Sequence, residues 1–344
     1  MGGLPPYGGL YGISVLPCVL GALISVILIR SGFLALFFLI PLGFVAAVYN
    51  GRTAWATALA ALGINALISF GFSFAGGLIP GEFVLDVFYF ALMTAVFVWI
   101  IAPPLAGPDF LRMRTAYRLV AAAVAAALLF LGVIYASARS NSGFMAFLRA
   151  QAEMLSSLYI AQAGTDAVQQ SFLERQLTPE RIMEAMGFVA LRGGALASCM
   201  VIFYISRQLA CSLAVLIRHI RPKPGIRDFH TPAPLIWVLS FSLLGVLLAR
   251  VLKSSILEIA AWNMLIICAM MYLAQGGGII QYHITRRNLS SFMRLLFNVL
   301  IILLILSPGI NALALGALIL LGVAENWAPL RTPKPNGPPS TPAV

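Results

Sequence analysis

LEIAAWNMLIICAMMYLAQGGGIIQYHITRR, residues Leu257–Arg287, decides what kind of molecule this chain is. It is a long apolar run interrupted by Asn263, Gln275, three consecutive glycines and Gln281, and closed by Arg286 and Arg287. A helix needs only about 20 apolar residues to cross a hydrocarbon core about 30 Å thick, so the run reads as a membrane span. Each amide inside it must then find a partner in protein or water, because lipid offers none.

The rest of the chain has the same character. Its 344 residues are 61% hydrophobic and only 10% charged, too apolar for a soluble globule of that size. Cys18, Cys199, Cys211 and Cys268 sit in apolar stretches without CxxC spacing, so they read as small core residues and not as a disulfide or metal framework. The N-terminal MGGLPPYGGLYG has no basic segment before its first apolar run, which argues against a cleaved signal peptide.

The pattern predicts an all-α, polytopic transmembrane helical bundle of about nine or ten spans. Spans are expected near 13–30, 33–49, 53–74, 84–106, 117–138, 192–218, 234–252, 257–283, 295–307 and 310–325. This divides the chain into an N-terminal five-span bundle (1–138), an extracytoplasmic amphipathic helical segment (139–191), a C-terminal span bundle (192–331) and a disordered proline-rich tail (332–344). The net charge of +11 follows from topology. Thirteen basic residues face Asp109, Asp228 and Glu325 on the side that holds both termini, while the other side balances eight of each sign. The positive-inside rule then places both termini in the cytoplasm of a bacterial inner membrane, and leaves no charge excess to assign to nucleic acid.

Within the spans, Pro17 and Pro41 are expected to kink the first two. Ala56, Ala60 and Gly63 in the third span, with Ala121, Ala122, Ala125 and Ala126 in the fifth, repeat small residues at the spacing that brings helix backbones together in lipid. In the segment 139–191, apolar residues recur at Phe144, Phe147, Leu148, Leu155, Leu158 and Tyr159, then at Ile182, Met183, Met186, Val189 and Ala190. That is the stripe of two amphipathic helices, a lid or an interfacial pair. Thr178-Pro179-Glu180 supplies the N-cap, first-turn proline and first-turn acid of the second.

Catalytic patterns are thin. His219, His230 and His283 match no zinc spacing, and no GxSxG, Walker or HExxH sequence occurs. No enzyme activity, cofactor or metal is expected. Intramembrane polar residues carry the stronger signal. At about 1.5 Å per residue, Asn65, Arg207 and Gln275 fall at similar depths on three different spans, which suggests an intramembrane polar cluster, structural or ligand-binding. The loop RHIRPKPGIRDFHTPAP carries Arg218, Arg221, Lys223 and Arg227, and its prolines exclude a helix. It is expected to meet anionic lipid or another membrane subunit.

Asn263 with Tyr272-Leu273-Ala274-Gln275-Gly276, the proline-bounded entry Pro222, Phe229, Pro232, Pro234, and the ending Gly322-Val323-Ala324-Glu325-Asn326-Trp327 with Arg331 resemble the YybS-like family of uncharacterised bacterial membrane proteins. That family is distantly similar to the substrate-binding components of energy-coupling-factor transporters and to the rod-shape protein MreD. The resemblance implies a small-molecule uptake component or a non-transporting envelope scaffold, with the ligand unspecified. It marks Asn263, Tyr272, Gln275, Gly276, Glu325, Trp327 and Arg331 as its motif positions.

Overall fold

Proline and glycine set where the helices begin and break. A computed structural model describes residues 14–49, 51–74, 80–102, 115–140, 142–162, 176–218, 227, 229–287, 293, 296, 300, 307 and 310–331. The described chain is helical, without strands: α1 (Val15–Arg30), a 3-10 turn (Phe33–Phe37), α2 (Ile40–Val48), α3 (Gly51–Phe74), α4 (Pro80–Ile101), α5 (Thr115–Ser140), α6 (Ser142–Gln162), α7 (Pro179–Val189), a π turn (Ala190–Gly194), α8 (Ala195–Arg218), α9 (Leu235–Leu252), α10 (Ser255–Arg286) and α11 (Asn311–Ala324). Pro17 and Pro41 lie in the first turns of α1 and α2, where a missing N–H costs nothing, so they start helices and do not kink them. The chain enters the 3-10 turn through Gly32 at φ +68°, a left-handed conformation that disfavours any side chain.

Among the described residues, five helical segments are long and apolar enough to cross a membrane: Gly51–Phe72, Ala116–Arg139, Pro179–Ile217, Leu235–Leu252 and Ser255–Arg286. Val15–Arg30, Leu34–Val48, Asp86–Ile101 and Asn311–Ala324 are shorter apolar helices. The expected span 295–307 falls mostly outside the described residues, as does the tail 332–344. The segment Pro179–Ile217 is 39 residues long, about 58 Å as a continuous helix and far more than the hydrocarbon core needs. It breaks at Gly193, φ +103°, so that α7 and α8 take separate directions.

Two compact units result, Met1–Pro222 and Lys223–Val344. In the first, α1 packs on α3, α3 on α4, α4 on α5, and α8 on α2 and α5. The helix expected to open a C-terminal bundle thus packs with the N-terminal ones. A methyl group on Gly43 of α2 would lie 2.6 Å from the Ala210 Cβ of α8, a contact that only glycine permits. The buried face of α3 is Thr53, Ala54, Thr57, Ala58, Ala61, Asn65 and Ser69. The Ala56, Ala60, Gly63 stripe lies beside it, with Gly63 open, because the polar pair Asn65 and Ser69 fixes the rotation of the helix. In α5, Ala122 and Ala126 are buried while Ala125 is exposed.

The expected amphipathic pair appears as α6 and α7, which pack on each other. Thr178 caps α7 by accepting a hydrogen bond from the Arg181 N–H, and Pro179 opens its first turn. Ser156 Oγ donates to the Leu177 carbonyl (2.6 Å), and Arg149 pairs with Glu180 on the surface. Met186, Phe188 and Val189 remain exposed and α7 has no buried residue, an open apolar stripe of the kind that rests on a lipid interface.

In the second unit, α10 packs on both α9 and α11. Backbones of α10 and α11 touch at Gly276 and Gly322. A Cβ on Gly276 would run into the Leu318 carbonyl, and one on Gly322 into the Tyr272 carbonyl. The exposed Trp237, Phe241, Leu244, Leu247 and Val251 on α9 form the apolar surface that lipid solvates.

Candidate functional site

Two polar clusters form, one in each unit. In the second unit Gln275, 2% exposed, sits on α10 beside the segment that precedes α9. Its Oε1 accepts from the Thr231 backbone N–H (2.7 Å) and Oγ1–H (2.5 Å). Its Nε2 donates to the Gly322 carbonyl (3.1 Å) and to Glu325 Oε2 (2.9 Å). All four hydrogen-bonding positions of the amide are used. Glu325 is held in turn by Arg331, Nε to Oε1 at 2.7 Å and Nη2 to Oε2 at 2.5 Å, with side chains only 5% and 6% exposed. Arg331 also donates to the carbonyls of Arg227 (2.6 Å) and Phe229 (2.8 Å). A planar guanidinium suits this task, since its fork grips a carboxylate while its outer N–H groups reach backbone oxygens. Asn326 Nδ2 donates to the Tyr272 hydroxyl (3.3 Å).

The motif positions Tyr272, Gln275, Gly276, Glu325 and Arg331 therefore converge, and every charge among them is paired. Asn263 and Trp327 stand apart: Asn263 Nδ2 donates to the Ile259 carbonyl of its own helix (2.8 Å), and Trp327 is exposed. Of the basic loop, Arg218 ends α8, Arg227 is exposed and lends its carbonyl to Arg331, and Arg221 and Lys223 lie outside the described residues.

In the first unit, Asn65 on α3 meets Arg30 at the end of α1, Ser69 one turn on, and Asp86 of α4. Arg30 Nη2 donates to Asn65 Oδ1 (2.8 Å), to Ser69 and to Asp86 Oδ2 (2.6 Å). Ser69 Oγ (2.6 Å) and Asn65 Nδ2 (3.5 Å) also donate to Asp86 Oδ2. Asn65 and Ser69 are fully buried, whereas the Arg30 and Asp86 side chains keep 29% and 28% of their exposure. Asp86 reaches a cavity of about 280 Å³ lined by Ile29, Ala35, Leu36, Tyr89 and Ile202, with Phe38, itself only 1% exposed, packed behind them. The rings are fixed by their neighbours. Ser25 Oγ donates to the Phe38 carbonyl (2.6 Å), Phe38 packs on Phe90 (5.4 Å between centroids), and Tyr89 on Phe130 (5.3 Å).

Asn65, Arg207 and Gln275, grouped in the sequence by depth, are grouped differently by their hydrogen bonds. Asn65 joins Arg30 and Asp86 in the first unit, and Gln275 joins Thr231 and Glu325 in the second. Arg207 Nη1 donates to Gln208 (3.4 Å). Depth fixes one coordinate of a side chain, while rotation about the helix axis selects its neighbours. Sequence reasoning missed Arg30, Ser69 and Asp86. The signals were an acid inside the apolar run VLDVFYF and a serine four residues after Asn65, on the same helix face. Among the described residues no group of three or more His, Cys, Asp or Glu side chains converges as a metal site would require.

Comparison with curated proteins and with solved structures returned no match. A family model described as "Predicted membrane protein (DUF2232)" matches residues 19–319. With that match covering most of its length, a helical chain built from several membrane-crossing segments belongs to the family of predicted membrane proteins DUF2232.

Proposed function

We propose that the chain is a small-molecule uptake component of the bacterial inner membrane, one that binds its substrate without bond chemistry. The cavity of about 280 Å³ beside Asp86 carries this reading. It is just below the range for small-molecule sites, roughly 300–1,000 Å³, and it combines apolar walls with the Asp86 carboxylate. By contrast, the Gln275–Glu325–Arg331 cluster has its polar groups paired and serves to hold helices together. The charge distribution supports a topology with both termini cytoplasmic, in which Arg30, Ser69 and Asp86 lie toward the outer ends of their helices, where an imported molecule arrives. The likeness to the YybS-like family, and through it to energy-coupling-factor substrate-binding components, favours the same role.

The experiment is native mass spectrometry of the protein purified in its own lipids, alongside Ala35→Trp, which fills the cavity without touching the ion pair. A small molecule retained by the wild type and lost from the variant supports the reading. Its absence from the wild type, or equal retention by both, refutes it. A second reading, a scaffold for other membrane subunits, draws on one observation: Ala56, Ala60 and Gly63 lie beside the packed face of α3, with Gly63 open.

A further inference from the structure

Among the described residues the polar end of the cavity is electrically balanced, and this limits what can bind there. Arg30 and Asp86 form an ion pair through a single oxygen: Asp86 Oδ2 takes Arg30, Ser69 and Asn65 together, while among the described residues Oδ1 takes no hydrogen bond. A carboxylate oxygen is an acceptor only, so the open position calls for an N–H or O–H donor. Asp86 is the only charged residue lining the cavity among the described residues, and the other walls are apolar or aromatic. A cation seated there would add an unpaired charge to a neutral pair. The attraction of the Tyr89 ring for it is smaller than the desolvation it would undergo. An anion would face the Asp86 oxygen directly. A neutral molecule meets neither penalty, and its apolar body packs against Tyr89 and the aliphatic walls.

Resting on the binding role proposed above, we infer that the substrate is a small molecule without net charge that presents an N–H or O–H donor to Asp86 Oδ1 and an apolar body to Tyr89 and the aliphatic walls of Ile29, Leu36 and Ile202. Four single-ring probes separate the possibilities: benzamide (neutral donor), benzylammonium (cation), benzoate (anion) and toluene (no donor). Each is titrated into the full-length protein in nanodiscs and followed by ligand-observed NMR. The expected result is millimolar binding of benzamide, at least about tenfold tighter than that of the other three, and lost in Ala35→Trp.

Two charge variants extend the test. Arg30→Gln leaves the carboxylate unbalanced and should shift the preference to benzylammonium. Asp86→Asn leaves the guanidinium unbalanced and should shift it to benzoate. Best binding of benzylammonium, benzoate or toluene to the wild type would overturn the inference about substrate charge while leaving the pocket in place. Failure of all four probes to bind, or binding unchanged by Ala35→Trp, would overturn the pocket reading as well. If neither charge variant folds, the order of the four probes on the wild type still decides.

Discussion

Replacing Arg331 with methionine removes one cation and strands its partners. Glu325, 5% exposed, would keep only the Gln275 Nε2 donor, and the carbonyls of Arg227 and Phe229 would lose theirs. Breaking a buried ion pair by deleting one member costs about 3–5 kcal/mol. An orphaned buried carbonyl adds about 1–3 kcal/mol if it stays dry. The two carbonyls belong to a segment before α9 that can turn them toward water, so the total should stay near 4 kcal/mol, about a thousandfold in the folding equilibrium. Adding Glu325→Leu removes the stranded charge. Gln275 Nε2 then still donates to the Gly322 carbonyl, and Oε1 keeps both bonds from Thr231. The double variant should therefore recover about 2 kcal/mol over Arg331→Met alone, a coupling within the range for residues in direct contact. Chemical denaturation in mixed micelles measures both. A double variant as unstable as the sum of the two single ones would refute the view that the cluster is a closed, mutually satisfying network.

Three further outcomes are expected. Gly276→Ala should separate α10 from α11, because the added methyl meets the Leu318 backbone; the loss should exceed the roughly 1–3 kcal/mol of ordinary overpacking, and a variant as stable as wild type would refute the close crossing. On the α6–α7 surface, the hydrogen bond from Arg149 holds the Glu180 carboxyl below the usual carboxylate range. A depressed folded-state value means the contribution is present above about pH 4.3 and is lost as pH falls through that lower value. The protection factors of the α7 amides, that is, exchange rates corrected for the slower intrinsic exchange in acid, should therefore fall on acidification, and Glu180→Gln should abolish that pH dependence while leaving protection low throughout. Finally, Arg221→Gln, Lys223→Gln and Arg227→Gln together should leave the melting temperature nearly unchanged and weaken association with anionic vesicles by about 1 kcal/mol per charge; unaltered vesicle binding would remove the loop from any lipid contact.

Much of the architecture is legible in the sequence because lipid imposes so few options. Long apolar runs have to be helices, and Thr178-Pro179-Glu180 starts a helix where local capping chemistry says it should. What the sequence conceals is rotation and pairing. Gln275 stands out as a costly amide, yet nothing in a linear pattern shows that Thr231, 44 residues earlier, and Glu325, 50 residues later, complete it. Asn65 was likewise visible, while Asp86, an acid inside the apolar run VLDVFYF, carries no mark of its partners. Its role depends on α1, α3 and α4 bringing Arg30, Ser69 and Asp86 to one point. The prolines mislead for a related reason: Pro41 sits in an apolar stretch long enough to be one span, and only the preceding 3-10 turn makes it a helix start.

The order in which the Gln275 cluster is completed has a consequence for biosynthesis. Thr231 has already been translated when Gln275 emerges, but Glu325 follows 50 residues later and Arg331 later still. At about 5–20 residues per second, the amide nitrogen waits several seconds in or near the bilayer before its carboxylate partner exists. During that interval α9 and α10 constitute a hairpin secured on one side only. Chain truncation between Gln275 and Arg331 would leave the insertion machinery holding a product with an unfinished polar centre, a ready mark for membrane quality-control proteases.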